Sequence, residues 1–430
     1  MKNPSKILLV LACSVVTGLL GLLFIRNLID FPVYYAAGQS LLSGRADLYS
    51  PDFALGRVMD YRYPPFFLLA FTPLWLLPYK LAAYIWYLLS ALEIIGCVVI
   101  VVRVFPSFRE SWLSQVLVAL GVGQYFVMAV HYGNAHLLVT LLLFAAFYFI
   151  LQQKDLPGAV LLALAITIKL TPILFLPYFV LKRRWSLLAQ MFVFLALFNI
   201  APSIYFGFRG NSELLRSWYE HVVANQEFHE DNGPINLALK GQLRRSLSRV
   251  EYSERVDGDT QYPSVQFASF SREQVVRAWL VLAAGLFAGV LILIGWRQRR
   301  LSQPEEPASL AQELALIICL TLLAGPLTSK IYFIELLWPI ACLASFAVDR
   351  TTSSGRVAMR VLVVVAIANS VLPLLPGRSV QRLLLVLGVD FYLNCLVMVG
   401  LIYALLSRRR RSQTQAAEPQ MPDPSGARMS

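Results

Sequence analysis

The sequence predicts an all-α polytopic membrane protein, a bundle of about twelve transmembrane helices whose extracytoplasmic loops form the functional site. Composition is the first observation: 57% of the 430 residues are hydrophobic and only 14% are charged, more apolar surface than a soluble fold of this size hides. The second is segmentation, with apolar runs of near-membrane length separated by polar punctuation. The third is the placement of the basic residues behind the formal charge of +12. They gather at the ends of the apolar runs, as in Lys182-Arg183-Arg184, in Arg297 with Arg299 and Arg300, and in the arginine run 408–411. A nucleic-acid partner is not expected, because charge at span ends serves to orient a chain in a bilayer.

The candidate spans, in order, are 7–25, 81–102, 112–130, 136–152, 157–168, 171–181, 186–204, 275–296, 310–325, 331–348, 357–374 and 382–406. The first is long and followed by many others, so it reads as a helix and not as a signal peptide. The fifth and sixth are short, and Lys169-Leu170-Thr171-Pro172 between them allows either two crossings or one kinked helix. Positive charge decides. With both crossings and the N terminus inside, Lys2, Lys6, Arg103, Arg109, Lys154, Lys182, Arg297, Arg350, Arg356 and the last arginines all face the cytoplasm. With one crossing fewer, the later clusters would lie opposite the earlier ones.

This topology puts 1–411 in the membrane domain and leaves 412–430, rich in Gln, Pro and Ser, as a disordered cytoplasmic tail. It also sends Asp30, the Gly133-Asn134 turn, Lys169, the loop 205–274 and the segment from Gly325-Pro326 to Lys330 to the outer face. A transport pathway would place its polar residues at mid-span in both halves. Here they gather at one edge, which in this topology faces outward.

Two outer loops are substantial, 26–80 and 205–274. In the first, Val33, Tyr34, Ala37 and Leu41 fall at helical spacing, which predicts an interfacial amphipathic helix over 32–43. Residues 66–77 are apolar but too few to cross, and read as re-entrant or interfacial. The second loop mixes both charge signs and is expected to cap the outer face. The five cysteines, Cys13, Cys97, Cys319, Cys342 and Cys395, lie in apolar spans without a CxxC pair, so neither a disulfide frame nor a metal site is expected.

Asp30 follows the first span directly, and a carboxylate there is suited to proton transfer at the bilayer edge. It also stands two residues before Pro32, where an N-cap would sit. Lys169 must either snorkel or bind an anion such as a phosphate. Tyr63-Pro64-Pro65-Phe66 forms a rigid turn whose tyrosines serve to anchor the interface or to stack on a sugar. Asp47 reads as a turn cap. His221 and His229, with Glu227 and Glu230, match no standard metal spacing. No Walker A, GxGxxG or GxSxG pattern has a suitable context, so no cofactor is expected.

Asp-x-x-x-Tyr-Tyr-Ala-Ala-Gly from Asp30, Gly44-x-x-Asp47-Leu48-Tyr49 and Tyr63-Pro64-Pro65 together resemble glycosyltransferase family 87. These are GT-C-class, polyprenol-phosphate-mannose-dependent mannosyltransferases. Gly158-Ala159, Ile168-Lys169-Leu170-Thr171-Pro172, Lys182-Arg183-Arg184-Trp185 and the stretch 232–244 extend the similarity to the later part of the chain. The resemblance implies a GT-C-like bundle and an inverting transfer of a hexose, mannose by analogy. The donor would be a polyprenyl-phosphate sugar and the acceptor a glycolipid or glycan hydroxyl, with membrane lipids around both.

By that resemblance Asp30 is the base, because a hydroxyl attacks well only when a carboxylate takes its proton. Lys169 is the candidate for the donor phosphate, with Arg244 and Lys330 behind it. Tyr34, Tyr63, Asn134, Asn236 and Tyr332 are candidate substrate-binding residues. The chain departs from the family at Gly133-Asn134-Ala135-His136 and again at Gly325-Pro326-Leu327-Thr328-Ser329-Lys330-Ile331-Tyr332. In the second place Lys330 and Tyr332 stand where the family often carries paired histidines. The competing readings are a lipid or polyisoprenoid transporter and a catalytically silent relative.

Overall fold

A computed structural model describes residues 20–43, 48–49, 61–224, 234–249, 262–299 and 306–417. Most of the first span, Asp47, His229 with Glu227 and Glu230, and the tail beyond 417 lie outside the described residues. Every regular element among those described is helical. Among the described residues, seven helical stretches are long and apolar enough to cross a bilayer: Tyr79–Val104, Trp112–Tyr132, Arg272–Arg299, Pro307–Ala324, Lys330–Ala347, Ser353–Leu374 and Val389–Ser407. An eighth is reached if Trp185–Ile200 and Ser203–Val223, bent by 94°, are one span. The protein is therefore an integral multi-pass membrane protein. Membrane-length helices among the described residues do not reach the expected count of about twelve: three of the expected spans are short, at His136–Leu151, Asp155–Ile168 and Thr171–Leu181, and most of the first lies outside those residues.

In chain order, α1 (Phe31–Leu42), α2 (Pro65–Ala70) and α3 (Thr72–Trp75) build the first outer loop. There follow α4 (Tyr79–Val104), α5 (Trp112–Tyr132), α6 (His136–Leu151), α7 (Asp155–Ile168) and α8 (Leu176–Leu181). Next come α9 (Trp185–Ile200), α10 (Ser203–Trp218), α11 (Leu239–Leu247), α12 (Arg272–Arg299) and α13 (Pro307–Ala324). The chain closes with α14 (Leu337–Ala347), α15 (Ser353–Val371), α16 (Arg378–Leu387) and α17 (Val389–Ala417). Short 3₁₀ turns at Thr171–Phe175 and Lys330–Leu336 lead into α8 and α14.

Polar contacts define two rims. At one, Arg184 pairs with Asp155, so the start of α7 lies beside the end of α8. That return makes 157–168 and 171–181 two antiparallel passes and not one kinked helix. At the same rim the buried Glu313 takes Lys182 Nζ at 2.6 Å, the Tyr178 hydroxyl at 3.1 Å and Arg297 Nη1 at 3.7 Å. The other rim joins the opposite ends. The Asp30 amide donates to the Tyr132 carbonyl at 2.8 Å, Trp279 Nε1 to the Ala324 carbonyl at 3.2 Å, and Leu237 N to the Thr328 carbonyl at 2.7 Å. Between the rims lies an apolar core in which Trp338, Phe144, Phe147 and Phe175 are fully buried.

The sequence expects one span over 382–406, but the chain breaks at Gly388, whose φ of +72° is a left-handed helix end that glycine adopts without strain. Residues before it form the separate amphipathic α16. The first outer loop folds as an aromatic plug with its own core. Phe31 packs on Trp86 with ring centroids 5.5 Å apart, Tyr63 stacks on Phe67 at 4.6 Å, and Phe71 meets Trp86 edge-on at 5.2 Å. Gly38 makes the docking of α1 possible, since a Cβ there would fall 2.2 Å from Trp75 Cγ.

Candidate active site

Asp30 occupies the N-cap position of α1, with Pro32 in the first turn, yet its side chain makes no capping hydrogen bond. Its carboxylate turns instead to α5 and α6. Asn134 Nδ2 donates to Asp30 Oδ2 at 2.5 Å. The carboxamide is fixed from its other end, where Oδ1 accepts the His136 backbone N–H at 2.7 Å and the Tyr63 hydroxyl at 3.5 Å. Tyr34 donates to the Tyr63 oxygen at 3.0 Å. A chain of hydrogen bonds thus runs Tyr34, Tyr63, Asn134, Asp30, and it begins in side chains that are almost wholly buried.

Why these residues meet is local. Gly133 ends α5 with a φ of +63°, which lets the chain reverse into α6 and aims Asn134 at the loop. Trp86 Nε1 holds the Gly133 carbonyl at 2.9 Å, tying the turn to α4. On the other side, Lys169 ends α7 in an extended conformation (φ −147°, ψ 125°), so its side chain leaves the helix axis. Its ammonium lies 3.7 Å from the centre of the Tyr332 ring. The opposite ring partner is His136, stacked on Tyr332 at 4.2 Å, with Nε2 at 3.1 Å from Glu335 Oε1.

Electrostatics follow from this enclosure. Only 7% exposed, Asp30 is pushed up to about 6 by burial, against the opposing pull of the Asn134 hydrogen bond and the charges of Lys169 and Arg62. Burial likewise pushes Lys169 down to about 7, with Asp30 and Glu335 opposing and Arg62 adding to the fall. Tyr63 and Tyr34 are raised by burial first, then by a neighbouring tyrosine (Tyr332 and Tyr63 respectively) and by Asp30, so both stay protonated donors. A carboxylate that titrates near neutrality can accept a proton from a hydroxyl, and two cations beside it can hold an anion.

The structure therefore brings together Asp30, Tyr34, Tyr63, Asn134, Lys169 and Tyr332. The other sequence candidates lie elsewhere. Asn236 is an internal staple: Nδ2 donates to the Pro326 carbonyl at 3.0 Å, while Oδ1 accepts the Ala238 and Thr328 amides. Arg244 lines a separate cavity of about 290 Å³ with Lys240, Arg249 and Arg272. Lys330 faces Asp390 at 3.8 Å, across a third cavity.

Three residues were missed. Arg62, between Tyr61 and Tyr63, acts electrostatically on Asp30, Lys169, Tyr63 and Tyr332. Its signal was a basic residue set inside a tyrosine-proline motif. Glu335 was legible as a lone acid in an apolar run. His136 was visible only as a departure from the family pattern.

A helical membrane protein that encloses a carboxylate beside a lysine and an arginine at one rim has the groups for acid–base chemistry there. The sequence pattern of glycosyltransferase family 87 matches residues 61–326, and the chain belongs to that family. Asp30 precedes the matched stretch. A polyprenol-phosphate-mannose-dependent alpha-(1-2)-phosphatidylinositol pentamannoside mannosyltransferase of Mycolicibacterium smegmatis is 26% identical over 237 residues, covering 52% of this chain and 53% of the relative. The chain thus matches about half the length of that protein. A crystal structure of ArnT from Cupriavidus metallidurans bound to undecaprenyl phosphate aligns with 97% of this chain and 82% of its own, at 17% identity and a TM-score of 0.39. At that score nothing is carried over from it.

Proposed function

We propose that this protein is an inverting glycosyltransferase that moves a hexose, mannose by analogy with its relative, from a polyprenyl-phosphate sugar to a hydroxyl of a lipid-linked glycan at the extracytoplasmic face. The observation that carries the reading is Asp30, a buried carboxylate held by Asn134 at 2.5 Å in the field of two cations. In the reaction Asp30 takes the acceptor proton as the hydroxyl oxygen attacks the anomeric carbon. The bond from that carbon to the phosphate oxygen breaks on the opposite side, which inverts the configuration. Lys169 and Arg62 stabilise the polyprenyl phosphate that leaves, a role in which preorganised positive charge lowers the barrier most. Asn134 positions the base, and the tyrosine chain behind it positions Asn134.

The test is sugar transfer from radiolabelled polyprenyl-phosphate-mannose in membranes carrying the protein, with Asp30→Asn alongside. The asparagine keeps the shape and removes the base. Transfer is expected in the first and a loss of about 10²–10⁴-fold in the second. Equal turnover by the two would reduce Asp30 to a structural residue. Absence of transfer from either, with both inserted, would refute the donor assignment.

A further inference from the structure

Lys330 and Tyr332 share one 3₁₀ turn, where three residues complete a revolution, so they leave it in different directions. Tyr332 meets Lys169 and His136, whereas Lys330 enters a cavity of about 200 Å³ at the same rim. Its polar lining is Gln124, Lys330, Asn369, Gln381 and Asp390, drawn from α5, α15, α16, α17 and that turn. The lining is built, not incidental. The Tyr125 hydroxyl lies 2.8 Å from Asp390 Oδ1 and 3.2 Å from Asn369 Oδ1, and Gln124 Nε2 donates to the same Asn369 oxygen at 2.6 Å. Asn369 Nδ2 donates to the Gly121 carbonyl. Gln381 Nε2 closes the rim on the carbonyls of Leu372 at 3.0 Å and Leu375 at 2.9 Å.

Asp390 and Asn369 are 5% and 4% exposed, so the fold sustains a desolvated polar network around an open space. Apolar packing would serve stability as well or better, which makes a ligand the better reason for that network. The chemistry of the wall names the ligand class. Amides and a carboxylate–ammonium pair offer donors and acceptors together, and Leu372, Leu384 and Leu385 add an apolar surface. That combination suits a pyranose, with hydroxyls at its edge and C–H groups on its face. A phosphate is disfavoured, because Asp390 offsets the charge of Lys330.

We propose that this cavity binds a sugar residue of the glycan acceptor, one removed from the hydroxyl that reacts at Asp30. The assignment rests on the glycosyltransferase reading above. It separates Lys330 from the donor phosphate and gives that lysine to acceptor recognition.

The experiment uses full-length protein in nanodiscs carrying Asp30→Asn, so that binding is read without turnover. An α-linked mannose disaccharide is titrated and followed by saturation-transfer difference NMR. Saturation of the disaccharide is expected in this background, with affinity at least tenfold weaker once Asp390→Asn or the cavity-narrowing Ala368→Leu is added. In protein with Asp30 intact, Lys330→Met is expected to raise the acceptor KM about tenfold with donor KM unchanged. Disaccharide binding that survives both added changes, or that is absent from the Asp30→Asn parent, overturns the assignment. So does a Lys330→Met effect confined to the donor KM. Failure of the enzymatic reading appears separately, as absence of sugar transfer from inserted protein with Asp30 intact.

Discussion

A carboxylate that takes a proton must be ionised, and a lysine that steadies a departing phosphate must be charged. At this site the two requirements pull against each other. Asp30, raised to about 6, is ionised only above that pH, and Lys169, lowered to about 7, is charged only below its own. The proposed mechanism therefore predicts a narrow bell for kcat/KM against pH, with limbs near 6 and 7. Lys169→Met should remove the alkaline limb and weaken the donor, and an unchanged limb would detach Lys169 from the reaction. Arg62→Gln should raise donor KM, since its charge acts on the same atoms. These cations also make transfer insensitive to EDTA, and complete loss of activity in chelator would overturn the charge assignment. Asp30 and Lys169 were legible because each interrupts an apolar run at the same predicted face. Arg62 was less so, since its one local signal, a basic residue between Tyr61 and Tyr63, is shared by many solvated loops.

Elements hold this site through contacts at both rims. Glu313 is 1% exposed and answers two cations, Lys182 and Arg297, at the rim opposite Asp30. Glu313→Gln should cost about 3–5 kcal/mol, as removal of one partner from a buried ion pair does, and should lower the Tm without altering the pH profile. Gly38→Ala tests the other rim. A methyl group there meets Trp75, so α1 must shift and carry Asp30 with it; the expected cost is about 1–3 kcal/mol of stability together with a loss of transfer. Stability lost without any change in turnover would show that α1 adjusts without moving the base. Spacing gave α1 closely: 32–43 was expected and Phe31–Leu42 is found. Composition could not reveal the break at Gly388, because α16 and α17 are both rich enough in leucine and valine to read as one run. Asn236 misled for a related reason: a motif asparagine that staples two loops is written with the same letter as one that binds substrate.

For the whole molecule, the return of α8 to Asp155 agrees with the two passes over 157–181 that the basic clusters favour. What neither could convey is depth. The 16 residues of α6 and 14 of α7 end at the rim that bears Asn134 and Lys169. At 1.5 Å per residue they reach about 24 and 21 Å, against about 30 Å of hydrocarbon. Anchored at the far rim by Arg184 on Asp155, such helices stop several ångströms short of the surrounding lipid surface. Lipid beside them must thin, or water must follow the site inward, and either way the proposed donor, a phosphate on a long isoprenoid chain, would be drawn below the plane of its neighbours. The bilayer then becomes a determinant of rate. In vesicles of matched headgroup, transfer should fall as acyl chains lengthen, with donor KM rising faster than kcat declines. A protein whose turnover ignores membrane thickness would not have its reaction centre sunk by its own short helices.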